Sequence, residues 1–298
     1  MQQGKIIKSI SGFYEVHTRE GITYRCRARG LFRALGQKPL VGDDVEIEIT
    51  DTVSIPPEGS VMRILPRRNS LVRPNVANVD QAVLLFAITH PVPSYNMLDR
   101  FLILMDRKEL PAVLCFNKTD LARKEEIEAL RETYEDCGCR VLFMSNYQGE
   151  GIEELRKVLE GRTSVITGPS GAGKSTLINT LCPEARMETG ELSRKIARGK
   201  NTTRHIELLS AGADTYLVDT PGFTSLFLEE MEAEQLRYCY PEFGPYEGTC
   251  RFGGCVHIHE PSCRVREAVE AGKIHPIRYR NYCELYEELR TRRPVYRK

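Results

Sequence analysis

The sequence contains no apolar run long enough to cross a bilayer, which argues against a helical membrane protein. Its longest strongly apolar stretch, residues 82–88, is much shorter than the roughly 20 residues that a transmembrane helix needs. The start of the chain also lacks a basic segment followed by an apolar one, the pattern of a secretory signal peptide. No internal repeat and no low-complexity tract is present. We therefore expect a cytoplasmic protein with no membrane partner.

The sequence also has almost no net charge, at +1, but its charges are unevenly distributed. Residues 1–75 carry 12 Lys and Arg against 8 Asp and Glu, residues 264–298 carry 10 against 5, and the segment between them carries 20 against 28. Basic ends around an acidic centre favour contact between the flanks and a polyanion. Ten cysteines are present, and without a secretory signal we expect no disulfide framework.

The length of 298 residues allows two or three domains, and the first is predicted over residues 1–70, with a linker at 65–70. This segment consists of short alternating stretches without a helical period. Successive side chains of a strand point to opposite faces, so the arginines in residues 22–29 share one face and the apolar residues the other. The arginines are Arg25, Arg27 and Arg29. Several short strands predict a small barrel of the OB type, a common nucleic-acid platform; the alternative for the arginines is a solvated basic face.

In residues 71–228 strands alternate with helices, which predicts an α/β domain with a parallel sheet and crossover helices. The predicted strands are residues 83–88, 112–116, 141–144, 165–167 and 216–218. The predicted helices are residues 98–110, 123–134, 152–159 and 174–181. Residues 229–298 contain a loop with cysteine and histidine and then helical segments at 265–271 and 281–290, so we expect a third, mainly helical domain.

The string GPSGAGKS at residues 168–175 matches G-x-x-x-x-G-K-[ST], a loop whose backbone N–H groups wrap phosphates. It follows a predicted strand and opens a predicted helix, which is the context that the motif requires. Lys174 is expected to reach the β- and γ-phosphates, and Ser175 to hold Mg²⁺ through its hydroxyl. The predicted phosphate-binding residues are Gly168, Pro169, Ser170, Gly171, Ala172, Gly173, Lys174, Ser175 and Thr176.

A second string, NKTD, ends at Asp120 and distinguishes guanine from adenine. The Asp120 carboxylate can accept hydrogen bonds from guanine N1–H and the exocyclic amine, which adenine cannot donate. Asn117 and Lys118 are expected to brace this loop and cover the base. Ser145 and Asn146 follow the next predicted strand, where such proteins close over the guanine; the alternative for this pair is a simple loop. The sequence therefore predicts GTP and GDP as ligands.

A third string, DTPG, begins at Asp219 at the end of a predicted strand. Asp219 is expected to face the metal through water, and Gly222 to lie near the γ-phosphate. Thr202 and Thr203 precede it in a polar loop, and one of the two is expected to complete the magnesium shell. Ras-like GTPases place a water-orienting Gln just after this string, whereas this chain has Phe223. Slow intrinsic hydrolysis is therefore predicted.

The guanine-reading string precedes the phosphate-binding loop, which reverses the usual order of these motifs. This reversal predicts that the nucleotide domain has been cut and rejoined elsewhere, so that it is circularly permuted. The switch after the γ-phosphate then leads directly into the C-terminal domain. We expect the GTP state to be passed to that domain.

The C-terminal loop has the spacing Cys-x4-Cys-x-His-x5-Cys, which gives three thiolates and an imidazole within 14 residues. Such a set fills a tetrahedral shell around Zn²⁺ and leaves no open position, so we expect one structural zinc ion. His259 and Cys239 are competing candidates for the shell. The predicted ligands are Cys250, Cys255, His257 and Cys263.

With these motifs in this order, the chain resembles the RsgA family of circularly permuted GTPases (ribosome small-subunit-dependent GTPase A) over essentially its whole length. The strings that carry the resemblance are residues 73–80, 168–176, 219–223 and 250–263. The resemblance implies a circularly permuted α/β P-loop GTPase domain, an N-terminal OB-like β-barrel and a C-terminal zinc-binding domain. It also implies late maturation of the 30S subunit, contact with 16S rRNA and ribosome-stimulated GTP hydrolysis that controls release. We expect a monomer.

One position departs from the family pattern G-x-H-T-T, whose His has been proposed to assist hydrolysis. Asn201 stands there, and an amide can orient a water but cannot act as a base near neutral pH. Asn201 is therefore the catalytic candidate. His205 is a candidate for a partial substitute, and the alternative for it is an ordinary surface histidine. Two other functions fit parts of the sequence. A GTP-controlled RNA-binding switch with little turnover fits Asn201 and Phe223, and an ATP-using P-loop enzyme such as a kinase fits the phosphate loop but not the NKTD string.

Overall fold

The computed structural model describes residues 1–30, 32, 36–72, 74–183, 206–219 and 231–292. The chain forms two compact units, Met1–Leu85 with Asn146–Thr224, and Phe86–Ser145 with Ser225–Lys298. The predicted domains 1–70, 71–228 and 229–298 divide the chain differently and stay a prediction. Among the described residues, no helix has the length and apolar character needed to span a membrane.

The first unit begins with a closed five-stranded barrel. Its strands are β1 Gln2–Ile10, β2 Phe13–Thr18, β3 Thr23–Ala28, β4 Asp44–Asp51 and β5 Glu58–Ile64. They pair in the order β1-β2-β3-β5-β4, and β4 pairs back with β1 to close the barrel. Tyr24 and Cys26 of β3 are buried while Arg25 and Arg27 are exposed, so the predicted alternation in this strand is confirmed.

After the barrel, the predicted alternation of strands and helices is confirmed, with shifted ends. The strands are β6 Ser70–Leu71, β7 Val76–Ala77, β8 Gln81–Ala87, β9 Ala112–Asn117, β10 Arg140–Met144, β11 Thr163–Thr167, β12 Glu207–Gly212 and β13 Thr215–Asp219. The helices are α1 Tyr95–Arg107, α2 Lys124–Tyr134, α3 Ile152–Leu159, α4 Lys174–Leu181, α5 Arg264–Glu270 and α6 Pro276–Thr291. Short 3-10 helices cover Thr119–Leu121, Ala233–Cys239 and Pro241–Tyr246.

Helix α6 begins five residues earlier than its periodicity predicts, at Pro276 instead of Asn281. Proline is well suited to the first helical position because it has no N–H to leave unsatisfied there. The ring of His275 caps this end by accepting a hydrogen bond from the Ile277 amide at 3.3 Å.

The predicted linker at residues 65–70 is held in place by polar contacts. Arg67 Nε donates to Asp43 Oδ1 at 2.6 Å, and the Asp43 side chain is completely buried. Arg68 pairs with Asp80. The segment then continues into β6, which pairs with β7. The chain therefore leaves the barrel along a fixed path.

The sheet of the first unit is not wholly parallel, so that part of the prediction is wrong. Strands β8, β11 and β13 are parallel neighbours, but β12 runs antiparallel to β13 and pairs on its other side with β1 of the barrel. Strand β12 lies in the segment predicted as a polar loop before Asp219, and its sequence, ELLSAG, has no strict alternation of apolar and polar residues. Strand β12 is defined by partners distant in sequence, which a local pattern does not reveal.

The second unit contains the parallel pair β9 and β10 and a helical core built on α1 and α6. Arg278 of α6 is 2% exposed and binds two carboxylates: it pairs with Asp99 of α1, and its Nε donates to Glu242 Oε1 at 2.7 Å. Asn281 donates to the other oxygen of Asp99 at 2.8 Å. A buried guanidinium needs such partners, because removing one would leave a charge uncompensated. This network joins α1 to α6 and to the 3-10 helix Pro241–Tyr246, and the C-terminal loop lies between these last two in the sequence.

Candidate functional site

The phosphate-binding string forms a tight loop between β11 and α4 in the first unit. Gly168 has a φ of 144°, and a Cβ placed on it would lie 2.0 Å from the Leu85 carbonyl oxygen, so no other residue fits there. Gly173 has a φ of 98° and caps the N-terminus of α4. The loop therefore leads into a helix N-terminus, where backbone N–H groups and the helix dipole favour an anion.

The ammonium of Lys174 folds back over this loop. Its Nζ donates to the carbonyl oxygens of Gly168 at 2.8 Å and Pro169 at 2.7 Å. Asn146 Nδ2 donates to the Gly173 carbonyl at 3.0 Å from the other side. Ser175, the predicted magnesium ligand, is the next residue of α4. The first unit thus places a cation and a hydroxyl at the phosphate loop, as binding of a magnesium nucleotide requires.

The guanine-reading string lies in the second unit, where β9 ends at Asn117. The side chain of Asn117 is buried, and Lys118 adopts the left-handed conformation with its Nζ on the His90 carbonyl. Asp120 Oδ1 accepts a hydrogen bond from Ser145 Oγ at 2.5 Å. Because Ser145 is fully buried, the hydroxyl anchors the half-buried carboxylate in one orientation. A carboxylate fixed in this way is suited to pair with the two donors of guanine.

Strand β13 ends at Asp219, and its register places the metal-facing candidate beside the phosphate loop. The Cα of Asp219 pairs with Ile166 of β11, two residues before Gly168. The other predicted switch residues lie outside the described residues; they are Asn201, Thr202, Thr203, His205, Gly222 and Phe223.

The structure brings together the four residues predicted as zinc ligands. Their ligand atoms all lie within 4.8 Å of one another. His257 Nδ1 is 3.6 Å from the sulfur of Cys250, 3.4 Å from that of Cys255 and 3.3 Å from that of Cys263. The competing candidate Cys239 packs in the hydrophobic core, outside this cluster.

The donor set fits a tetrahedral zinc ion by its chemistry. Burial raises the pKa of the Cys255 thiol to about 12, whereas a cation among the three sulfurs favours the thiolates. His257 Nδ1 faces the sulfurs while its Nε2 lies 2.7 Å from Glu247 Oε1. A ligating histidine commonly donates its other ring N–H to a carboxylate in this way.

Sequence reasoning missed two carboxylates that organise the metal loop. Glu247 orients the ring of His257, and Glu260 accepts backbone N–H groups from Val256 at 2.8 Å and Ile258 at 3.0 Å. Burial opposes ionisation of Glu260, but these backbone donors lower its pKa overall. Only the position of Glu260 inside the ligand string hints at its role, and nothing in the sequence marks Glu247.

The chain is similar to known GTPases over its whole length. A family model for the RsgA GTPase matches residues 64–229, and one for the RsgA N-terminal domain matches residues 3–54. The small ribosomal subunit biogenesis GTPase RsgA of Agathobacter rectalis is 50% identical, over 97% of this chain and 98% of that protein. The protein of the same name from Bacillus anthracis is 44% identical, over 99% of this chain and all of that protein.

Two solved structures share this architecture. YjeQ from Thermotoga maritima superposes with a TM-score of 0.79 at 35% identity, covering 98% of this chain and 99% of its own. The circularly permuted GTPase YloQ gives a TM-score of 0.79 at 36% identity, covering 99% of this chain and 97% of its own. The predicted fold class is confirmed: a permuted GTPase domain, an N-terminal barrel and a cysteine–histidine cluster near the C-terminus. The chain is a GTP-hydrolysing enzyme and belongs to the RsgA GTPase family.

Proposed function

We propose that this GTPase binds the 30S ribosomal subunit, acts in its late maturation and uses subunit-stimulated hydrolysis of GTP to GDP to control its own release. The observation that carries the proposal is the full-length similarity to proteins named small ribosomal subunit biogenesis GTPases. We also propose that the protein acts in the cytoplasm and as a monomer.

In this proposal each group of predicted nucleotide-binding residues has one task. Asp120, held by Ser145, pairs with the guanine edge, while Asn117 and Lys118 brace its loop and Asn146 closes over the base. The loop from Gly168 to Thr176 wraps the phosphates, with Lys174 as its cation. Mg²⁺ supplies charge neutralisation between the β- and γ-phosphates when bound, and Ser175 and Asp219 are the residues that would hold it.

For the chemical step, the proposal assigns positioning to residues of two strings, residues 199–203 and residues 219–222, which we call the switch strings. One of Thr202 and Thr203 completes the magnesium shell, and Gly222 lies at the γ-phosphate. Asn201 orients the attacking water, since an amide can donate and accept hydrogen bonds but cannot take up a proton near neutral pH. The remaining acceleration is supplied by the ribosomal subunit.

The hydrolysis experiment compares turnover of GTP by the free protein with turnover in the presence of purified 30S subunits. We expect the free protein to turn over GTP slowly and the 30S subunit to raise this rate at least about tenfold. A factor of this size corresponds to a typical coupling free energy between two sites. The 50S subunit serves as the control polyanion, because it presents rRNA phosphates without the proposed partner. Equal rates under all three conditions would contradict the proposal.

The barrel presents a surface suited to 16S rRNA. Arg25 and Arg27 are exposed and both lie over the Phe13 ring, with guanidinium-to-centroid distances of 4.1 and 4.7 Å. Among the described residues, neither arginine has a carboxylate within ion-pair distance, whereas Arg29 pairs with Glu48. Cations beside an aromatic ring can contact phosphates and stack on unpaired bases.

Replacing Arg27 by alanine is expected to weaken binding to the 30S subunit by about fivefold and to reduce the slope of log affinity against log salt by roughly 1. The measurement is a binding titration at several salt concentrations. Arg63→Ala is the matched control, because Arg63 is exposed on the same barrel but pairs with Glu46 at 2.6 Å. The RNA-binding face is misassigned if Arg63→Ala and Arg27→Ala have equal effects.

In the C-terminal loop we infer one structural zinc ion, held by Cys250, Cys255, His257 and Cys263. The support is the closed donor set and the carboxylate behind His257. The ion stabilises a loop with few apolar residues of its own. It takes no part in hydrolysis.

A further inference from the structure

The barrel and the GTPase sheet of the first unit share a continuous row of paired residues. Strand β1 pairs with β12 at Lys8 and Glu207, and β12 pairs with β13 at Glu207 and Asp219. Strand β13 in turn pairs with β11 at Asp219 and Ile166. A single row therefore runs from the barrel through Asp219 to the strand that enters the phosphate loop.

Several side-chain contacts reinforce this junction, including an exposed pair between Arg19 and Asp214, and two of them involve β12 and β13 most directly. Lys8 Nζ lies 3.0 Å from Glu207 Oε2, and both side chains are partly exposed. His17 Nδ1 of β2 shares a hydrogen bond of 2.9 Å with Tyr216 Oη of β13, and the two rings meet edge to face. The barrel is thereby fixed to both β12 and β13 by groups other than the backbone.

The contact between His17 and Tyr216 joins two uncharged groups near neutral pH. Burial lowers the pKa of His17, against the opposing charge of Asp214, and burial raises the pKa of Tyr216 to about 12. Tyr216 as a whole is 2% exposed, and its hydrogen bond to His17 is partly buried. Losing a partly buried hydrogen bond lowers the free energy of unfolding by more than losing an exposed ion pair does.

The position of these strands in the sequence gives the junction its significance. The predicted switch threonines precede Glu207 by four and five residues, and Gly222 follows Asp219 by three. Strands β12 and β13 are thus the elements from which both switch strings extend. A displacement of β12 and β13 therefore moves Glu207 and Asp219, the described strand residues nearest in sequence to the predicted switch threonines and to Gly222.

We propose that Lys8, His17 and Tyr216 are positioning residues that transmit binding of the ribosomal subunit at the barrel to Asp219 and so to GTP hydrolysis. The inference rests on the proposed function, because it presumes that the 30S subunit stimulates turnover. It adds a route for that stimulation. The two coupled sites are the RNA-facing barrel and the phosphate loop, and the element between them is the β1-β12-β13 row.

The test uses the full-length protein with Lys8→Ala, Tyr216→Phe and the double substitution, and measures GTP turnover alone and at saturating 30S subunits. We expect the stimulation factor of the double variant to fall about tenfold. Turnover of the free protein and its GDP affinity should stay within about twofold of wild type, since within the described part of the chain neither side chain is seen to contact residues 168–176 or the NKTD string. Tyr216→Phe keeps the buried ring, so packing of β13 is preserved.

Two control variants separate coupling from general damage. Lys8→Arg keeps the ion pair with Glu207 and should retain the wild-type factor, and Arg63→Ala breaks a barrel ion pair remote from β12 and should also retain it. A wild-type factor in both Lys8→Ala and Tyr216→Phe overturns the inference. So does a proportional loss of free turnover and GDP affinity, which indicates a merely structural role. If the subunit does not stimulate even the wild-type protein, the proposed function itself fails.

Discussion

Replacing Lys174 by alanine is expected to abolish measurable GTP turnover and to weaken GDP and GTP binding at least about a hundredfold. The Lys174 ammonium is held over the phosphate loop by the carbonyls of Gly168 and Pro169, where it can exchange these neutral acceptors for phosphate oxygens. A charge-assisted hydrogen bond contributes roughly 1.5–3 kcal/mol, and loss of one donor to developing charge slows a reaction by roughly 10²–10³. Nucleotide titration with a fluorescent GDP analogue and single-turnover hydrolysis measure the two effects.

Lys157→Ala is the matched control for this experiment. Lys157 lies on α3 in the same unit and is exposed, so its removal changes the net charge equally without touching the phosphate loop. We expect its nucleotide affinity and turnover to match the wild-type protein. Full turnover by Lys174→Ala would place the nucleotide site elsewhere in the molecule.

The stability of Lys174→Ala should change little, which distinguishes this effect from unfolding. The side chain is half-buried, and its two partners are carbonyls that water can reach once the ammonium is removed. Because water can replace the ammonium as the partner of these carbonyls, we expect the loss of each bond to lower the free energy of unfolding by about 1 kcal/mol or less. Thermal unfolding of the two lysine variants should therefore be nearly the same.

The sequence predicted the parts of the molecule whose structure depends on contiguous residues. The loop at Gly168 follows from glycine geometry and from the strand and helix on either side of it, and the metal loop follows from ligand spacing. The arginine face of β3 follows from strand alternation. In each case the chemical requirement lies within about 15 residues, so a local pattern contains it.

The features that the sequence did not reveal depend on partners distant in the chain. Strand β12 is a strand because β1 and β13 flank it, and its own sequence, ELLSAG, lacks the strict alternation of apolar and polar residues that would indicate one. Glu247 acquires its role from His257, and Arg278 is buried because Asp99, more than 170 residues earlier, offers a carboxylate. An isolated glutamate or arginine has no local signature for such a role.

The order of the motifs acquires a structural meaning from these partners. In the permuted chain the barrel precedes the guanine-reading string, yet its strand β1 pairs with β12, which lies after the phosphate loop. The N-terminal barrel is therefore attached to the part of the sheet that borders both switch strings. After Asp219 the permuted sequence continues to residues 229–298, whereas the barrel contacts β13, the strand that ends at Asp219, through His17 and Tyr216.

The cysteine–histidine cluster carries the second large expected effect. Cys255→Ala should remove one zinc ion per protein and destabilise the C-terminal part of the second unit by at least about 4 kcal/mol, because structural zinc contributes roughly 10–16 kcal/mol of binding free energy in small domains. GDP affinity should stay within about threefold, since Cys255 lies in a loop remote in sequence from both nucleotide strings. Binding to the 30S subunit should fall with the folded fraction of the C-terminal helices.

Zinc content measured by elemental analysis and thermal unfolding with and without a chelator check this prediction. Cys283→Ala provides the matched control: Cys283 is a partly buried thiol of α6 outside the ligand cluster, so its loss should leave the zinc content at one. Zinc-depleted wild-type protein should unfold like Cys255→Ala and recover when zinc is returned, whereas the variant should not recover. A folded Cys255→Ala protein that keeps its zinc would show that Cys255 is not a ligand. A selective loss of GTP affinity would refute a purely structural role, which we expect because four protein ligands leave the ion no open position for chemistry.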